Sequence, residues 1–252
     1  MKGAALVTGA GRGIGRAIAL ALAKRGWPVA VHYRADLAKA REAAALIEAE
    51  GGRAALVQGD LAEAGAQEPI LAAAEEALGP LALFVQNAGA GPERRVDCLA
   101  EEADSVRRML AVNLEGPWLL ACRAAERLLA RPGEARGMVW VTSVSAALAS
   151  TERAGYCLAK AGATMGARLL ALRLAPAGIP VWEVRPGIIE TDMTAPVIEK
   201  YRERAAAGLV PVGRTGLPEE VGRVVAALVE EGGAYATGAV VTVDGGLSLG
   251  RL

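Results

Sequence analysis

A chain of 252 residues with 53% hydrophobic content has enough apolar side chains for one large core, and its length suits a single α/β domain. Basic and acidic residues balance to a formal charge of zero, which argues against nucleic acid or an anionic membrane surface as a partner. Three scattered cysteines (Cys98, Cys122, Cys157), one histidine, no apolar stretch long enough to span a bilayer and no leader-like start point to the cytoplasm and to no structural metal.

The first element, a strand over 3–8, contains the apolar run Ala4-Ala5-Leu6-Val7. A helix over 13–25 follows, with Ile14, Ile18, Ala21 and Leu22 at helical spacing. Between them lies Thr8-Gly9-Ala10-Gly11-Arg12-Gly13-Ile14-Gly15. Gly9 permits a tight turn, Gly13 lets backbone approach a phosphate, and Gly15 lets the helix pack close to the strand. The free N–H groups of the helix start favour an anion. Taken alone, the segment also fits an ordinary strand-to-helix turn.

The second strand, 28–33, ends at Tyr33, where an acidic side chain would bind the ribose 2′-hydroxyl of NAD. No carboxylate stands there. Arg34 comes next and Arg12 lies in the first turn, so two guanidinium groups can converge on a 2′-phosphate, which predicts NADP(H) as cofactor. Surface arginines, with Asp36 on a ribose hydroxyl, are the alternative. His32 reads as a structural or cofactor-rim residue.

Helices over 36–50 and 63–78 flank a third strand, 53–58, followed by Gly59-Asp60-Leu61. Asp60 can accept from an adenine amino group or serve as a turn residue. The fourth strand, 81–86, runs into Asn87-Ala88-Gly89, and helices over 100–112 and 114–130 come next. The fifth, 137–142, ends at Ser143, and a helix over 155–175 opens with Tyr156 and Lys160. The sixth, 179–184, leads into Pro186-Gly187 and an irregular stretch, 187–212, placed where a substrate lid belongs. A helix over 218–230 and a strand over 239–243 close the chain. This alternation predicts a doubly wound, parallel, seven-stranded sheet (a Rossmann fold) in one domain, 1–252. Its dinucleotide-binding part spans about 1–145 and its catalytic and substrate-loop part about 146–252.

Tyr156 and Lys160, four residues apart, share a helix face. A lysine ammonium beside a phenol is expected to draw its pKa below the usual value of about 10. Ser143 could orient a carbonyl oxygen that Tyr156 protonates as hydride reaches the carbon. The residues therefore read as chemistry between a nicotinamide and a carbonyl or alcohol.

In combination these segments resemble the short-chain dehydrogenase/reductases over nearly the whole chain, from Thr8-Gly9 to Asp244-Gly245-Gly246. The resemblance implies a catalytic set of Asn113, Ser143, Tyr156 and Lys160, with Asn113 holding a water that links Lys160 to solvent and Lys160 also binding the nicotinamide ribose. It implies cofactor contacts from Gly9, Arg12, Gly13, Ile14, Gly15, Arg34, Asp60, Leu61, Asn87, Ala88 and Gly89. Pro186, Gly187, Ile189 and Thr191 would take the carboxamide end. Gln86 departs from the family's usual Asn and is expected to affect packing more than chemistry.

Within the family the chain is most similar to 3-oxoacyl-[acyl-carrier-protein] reductases, on Arg185-Pro186-Gly187 through Met193 and on Val243-Asp244-Gly245-Gly246. That likeness implies an acyl thioester substrate and an acidic acyl carrier protein as a candidate partner, docked by Arg131 and Arg136 or by Arg94 and Arg95. The helix end at Arg173–Gly178 lacks the base that group often has in its last turn. A reductase of small ketones or sugars is the alternative, and a non-catalytic dinucleotide sensor the remote one. Helices 114–130 and 155–175 carry apolar residues on more than one face (Leu119, Leu120, Ala124, Leu128; Met165, Leu169, Leu172), which calls for cover on both sides. A homotetramer is what the resemblance implies.

Overall fold

Residues 2–131 and 136–250 are described by the computed structural model. Their seven strands are β1 (Ala4–Val7), β2 (Val29–Tyr33), β3 (Ala54–Gln58), β4 (Leu81–Gln86), β5 (Gly137–Val141), β6 (Val181–Pro186) and β7 (Val240–Val243). Side chains alternate between the sheet's two faces, and both faces are covered, so the central strands read as unbroken apolar runs. Leu6, Phe84, Met138 and Trp140 pack on one face against α3 (Gln67–Leu78), α5 (Gly116–Leu129) and α6 (Ala154–Leu174). Val7, Val85, Val139 and Val184 pack on the other, against α1 (Gly13–Ala23), α2 (Leu37–Ala49) and α8 (Pro218–Glu231). Burying a Phe or Leu contributes roughly 1.5–3 kcal/mol, so these two layers hold the sheet rigid.

All strand pairs are parallel, in the order β3-β2-β1-β4-β5-β6-β7. The order reverses between β1 and β4, which opens a crevice at the carboxyl ends of those strands. This is the doubly wound fold the alternation predicted. No helix among the described residues is long and apolar enough to cross a membrane.

Three elements differ from expectation. The helix expected over 63–78 starts at Gln67, because Asp60 Oδ1 accepts from the Ala62 N–H at 3.0 Å and folds the preceding residues into turns. The helices expected over 100–112 and 114–130 are joined: α4 (Ala103–Leu110) continues through a π-helical turn, Ala111–Glu115, into α5. The stretch 187–212 contains a helix, α7 (Ile198–Arg204), that the sequence did not announce. None of the residues of α7 is buried, so it has no apolar periodicity to read.

Candidate active site

The first turn is shaped by close approach. A Cβ on Gly15 would lie 2.2 Å from the Gly9 carbonyl oxygen, and Gly9 itself has φ +64°, so neither position admits another residue without displacement. Thr8 Oγ1 accepts from the N–H groups of Asn87 (2.8 Å) and Ala88 (2.9 Å), while Asn87 Nδ2 donates to the Thr8 carbonyl (2.8 Å). These bonds tie the end of β1 to the end of β4 across the switch point. His32 ties β1 to β3: its Nδ1 accepts from the Gly9 N–H at 3.2 Å, and its Nε2 bonds the Gly59 carbonyl at 3.1 Å. That pattern needs a neutral ring, and burial holds the His32 pKa down at about 4. It thus holds β1 and β3 together at the wall of a cavity.

One cavity of about 840 Å³ runs along this edge, and every residue singled out above for catalysis or cofactor contact lines it. Its size falls in the range of small-molecule sites, roughly 300–1,000 Å³. A dinucleotide fits the residues present: the glycine turn leaves backbone uncovered at the start of α1, and Gly89 keeps the cavity floor open. A Cβ there would meet Asn113 Oδ1 at 2.7 Å and Lys160 Nζ at 3.4 Å.

At the inner end, β5 delivers Ser143 and the first two turns of α6 deliver Tyr156 and Lys160. Ser143 and Tyr156 line the cavity together, and Ser143 favours the ionised form of the phenol. Lys160 is buried, donates to the Val141 carbonyl at 3.5 Å, and places its ammonium 5.7 Å from the Tyr156 ring centre. Burial lowers its pKa to about 8, opposed by the charge of Glu183. The phenol does not follow the expectation of a lowered pKa. Burial pushes Tyr156 up, and the groups pulling it down are Ser143 and Arg153, whose guanidinium carbon stands 5.9 Å from the ring. Desolvation outweighs both Ser143 and the Arg153 charge. Arg153 lines the cavity one turn before Tyr156, and that spacing was the available signal for it.

Asn113 sits in the π-helical turn, which aims it at the loop after β4. Its Oδ1 accepts from the Ala90 N–H (3.0 Å), and its Nδ2 donates to the carbonyls of Ala90 (3.1 Å) and Met109 (3.1 Å). It therefore fixes the loop that carries Gly89.

At the outer end, Arg12, Arg34 and Lys39 line the cavity together. Arg12 Nη1 donates to Asp192 Oδ2 at 3.2 Å, Lys39 Nζ lies 3.7 Å from the same oxygen, and Arg34 Nη1 is 3.9 Å from Asp60 Oδ2. Asp36 is engaged as the N-cap of α2, accepting from the Lys39 N–H at 3.0 Å, which weakens its alternative role on a ribose. Lys39 had no sequence signal, because a lysine in the first turn of a surface helix is ordinary. Asp60 proves to be a turn residue that also lines the cavity.

The stretch expected to form a lid borders the other side of the cavity. Arg202 on α7 pairs with Glu190 (2.9 and 2.6 Å), and Glu190 accepts from Thr215 Oγ1 (2.6 Å). Pro92, Met193, Pro196 and Val197 line an apolar wall, with Arg95 at its mouth donating to the Tyr201 hydroxyl at 2.9 Å. The expected docking bases Arg131 and Arg136 stand elsewhere. They precede β5, at the amino edge of a parallel sheet whose carboxyl edge carries the cavity. Arg136 donates to the Leu128 carbonyl and, at 3.2 Å, to that of Ala177, joining two helix ends.

The sequence model of a family described as enoyl-(acyl carrier protein) reductase matches residues 9–248. The chain is 35% identical to L-rhamnose 1-dehydrogenase (NAD(P)(+)) of Sphingomonas sp., over 96% of this chain and 94% of the relative. It is also 35% identical to the 3-oxoacyl-[acyl-carrier-protein] reductase MabA of Mycobacterium tuberculosis, over 98% and 93%. A crystal structure of a 3-oxoacyl-[acyl-carrier protein] reductase from Brucella melitensis in complex with NAD superposes with a TM-score of 0.94 at 40% identity, covering 100% of this chain and 99% of that one. With the switch-point crevice, the glycine turn and the Ser143–Tyr156–Lys160 cluster in place, the chain belongs to the short-chain dehydrogenase/reductase family of oxidoreductases.

Proposed function

We propose that this protein reduces a ketone to a secondary alcohol with NADPH, using Tyr156 as the proton donor. The observation that carries this reading is the convergence of Ser143, Tyr156 and Lys160 at the inner end of the cavity. The bound nicotinamide would supply the hydride. The Ser143 hydroxyl bonds the carbonyl oxygen and Tyr156 gives that oxygen its proton as negative charge develops. The resulting phenolate would be stabilised by Ser143 beside it and by the charges of Lys160 and Arg153. Lys160 also takes the ribose hydroxyls, and Asn113 holds the loop beside it and the water that connects it to solvent.

NADP(H) is supported by Arg12, Arg34 and Lys39 around one end of the cavity, with no carboxylate at Tyr33. For the substrate, the apolar wall of Pro92, Met193, Pro196 and Val197 favours a 3-oxoacyl thioester. Arg95 lines the cavity and Arg94 precedes it in the chain, where an acidic acyl carrier protein would arrive. A sugar or small ketone is the second reading, favoured by the likeness to L-rhamnose 1-dehydrogenase. Free cysteines suit a reducing cytoplasm. On α5 and α6, Leu120, Ala124 and Leu128 face the sheet, whereas Leu119, Met165, Leu169 and Leu172 stay exposed, which supports a homotetramer built on that outer face.

Steady-state oxidation of NADPH with 3-oxoacyl thioesters, diketones and sugars tests the reading. Turnover of the thioesters is expected. Turnover of sugars alone would reassign the substrate, and no turnover of any would favour the dinucleotide sensor.

A further inference from the structure

Three elements meet at one buried oxygen beneath the catalytic cluster. Glu183 stands in the middle of β6 with Trp182 and Val184 beside it, and is 2% exposed. Its Oε1 accepts from the Thr142 hydroxyl (2.6 Å), the Thr164 hydroxyl (2.7 Å) and Arg185 Nε (2.7 Å), and its Oε2 accepts from Arg185 Nη2 (3.2 Å). Thr142 immediately precedes Ser143 and follows Val141, whose carbonyl receives Lys160 Nζ. Thr164 lies one turn beyond Lys160 on the same face of α6. The two elements that carry Ser143, Tyr156 and Lys160 are thus tied to a single carboxylate oxygen. A charged group in the interior of a sheet is costly, and a pair of apolar residues would hold β6 in place at less cost. Its presence here calls for another reason.

We propose that Glu183 is a positioning residue for the reduction: it fixes α6 against the end of β5, and it supplies the buried negative charge that keeps the Lys160 ammonium protonated. The proposal rests on the reading of Lys160 as part of the reacting centre. The groups around Lys160 make Glu183 the source of that charge. From α6 come the Tyr156 phenol and, beyond it, the Arg153 guanidinium; from β6 come Glu183 and Arg185. The end of β5 offers neutral Thr142 and Ser143, and the π-helical turn offers neutral Asn113. Burial lowers Lys160, and Glu183 opposes it. Arg185 pairs with both carboxylate oxygens and reaches the Thr164 hydroxyl at 3.5 Å, so it offsets part of the charge.

The chain has five lysines, so the side-chain signal of Lys160 can be followed by NMR in protein carrying [ε-13C]lysine and assigned by its loss in Lys160→Arg. Glu183→Gln keeps the size and the oxygen that Thr142 and Thr164 bond, and removes the charge. The Lys160 midpoint is expected to fall by about one pH unit in this variant. The basic limb of kcat for NADPH-dependent ketone reduction should fall with it, because reduction needs the ammonium. An unchanged midpoint in folded Glu183→Gln overturns the proposal, because packing alone would then account for the carboxylate. A midpoint that falls while the kcat profile stays in place supports the electrostatic role of Glu183 and refutes the catalytic reading of Lys160. Should the single variant not fold, Glu183→Gln/Arg185→Gln removes the pair without stranding a guanidinium. A fall in its Lys160 midpoint supports the proposal, and an unchanged one overturns it.

Discussion

The two ends of the cavity handle charge in opposite ways. At the inner end, Lys160, Glu183 and Arg185 are buried or nearly so, and the shortest bonds to the carboxylate measure 2.6–2.7 Å. At the outer end, Arg12, Arg34, Lys39 and Asp192 have side chains 41–64% exposed, with pairings of 3.2–3.9 Å. The inner charges cannot relax, so burial lowers the Lys160 pKa, hydrogen bonds hold the Glu183 carboxyl below its usual range despite burial, and every such bond counts. The outer charges are solvated and loosely paired, able to exchange a carboxylate for an incoming phosphate at little cost. On the proposed reading, chemistry would sit where the field is fixed, and recognition of an anionic ligand where it can adjust.

Four measurements would break or sharpen this contrast. Tyr156→Phe should cost the most, lowering kcat by about 10²–10⁴-fold while leaving NADPH binding by fluorescence nearly intact. A variant retaining more than about a tenth of wild-type kcat would remove Tyr156 from its role as general acid.

Glu183→Ala should destabilise the protein by about 3–5 kcal/mol in urea, because it strands Arg185 and two hydroxyls in the interior. Asp192→Ala, at the exposed end, should change stability by no more than about 1 kcal/mol. Equal costs for the two would erase the distinction drawn between them.

His32 extends the buried side of the comparison to pH. Its folded pKa of about 4 lies below the ordinary 6.5, so between those values the unfolded chain takes up a proton that the folded chain refuses. Stability is therefore full above pH 6.5 and declines as pH falls toward 4, by on the order of 3 kcal/mol. Urea midpoints measured across that window in His32→Gln should show most of this slope gone. A slope identical to that of wild type would mean other groups carry it.

The smallest effect belongs to the exposed end. Arg34→Ala should lower kcat/KM for NADPH relative to NADH by roughly 1.5–3 kcal/mol in free energy. Raising ionic strength should shrink the wild-type preference, since solvated charges are screened. A wild-type enzyme that prefers NADH would refute the NADP(H) assignment outright.

Much of the site was legible because it depends on backbone geometry. The glycines at 9, 13 and 15 and the small or polar residues at strand ends, Asn87, Ser143 and Gly187, are fixed by where a parallel sheet puts its carboxyl edge. Tyr156 and Lys160 were legible from helical spacing alone. Glu183 was passed over, although a carboxylate between Trp182 and Val184 in a buried strand is itself a signal. Arg136 was read as a docking base because sequence distance does not say which edge of the sheet a loop occupies. The helix α7 escaped notice because it buries nothing.

By itself, then, the sequence determined the layered fold, the edge of the sheet that carries the cavity and the residues that line it, since each follows from local periodicity and from the handedness of strand-helix alternation. Only the tertiary structure decided the electrostatics. Whether burial or a nearby cation governs the Tyr156 phenol, whether Asp36 caps a helix or faces a ribose, and which carboxylate stands beneath Lys160 all depend on distances between elements far apart in the chain. Solvent exclusion sets the strength of each such interaction, and exclusion is a property of the packed sheet and its helices rather than of any segment.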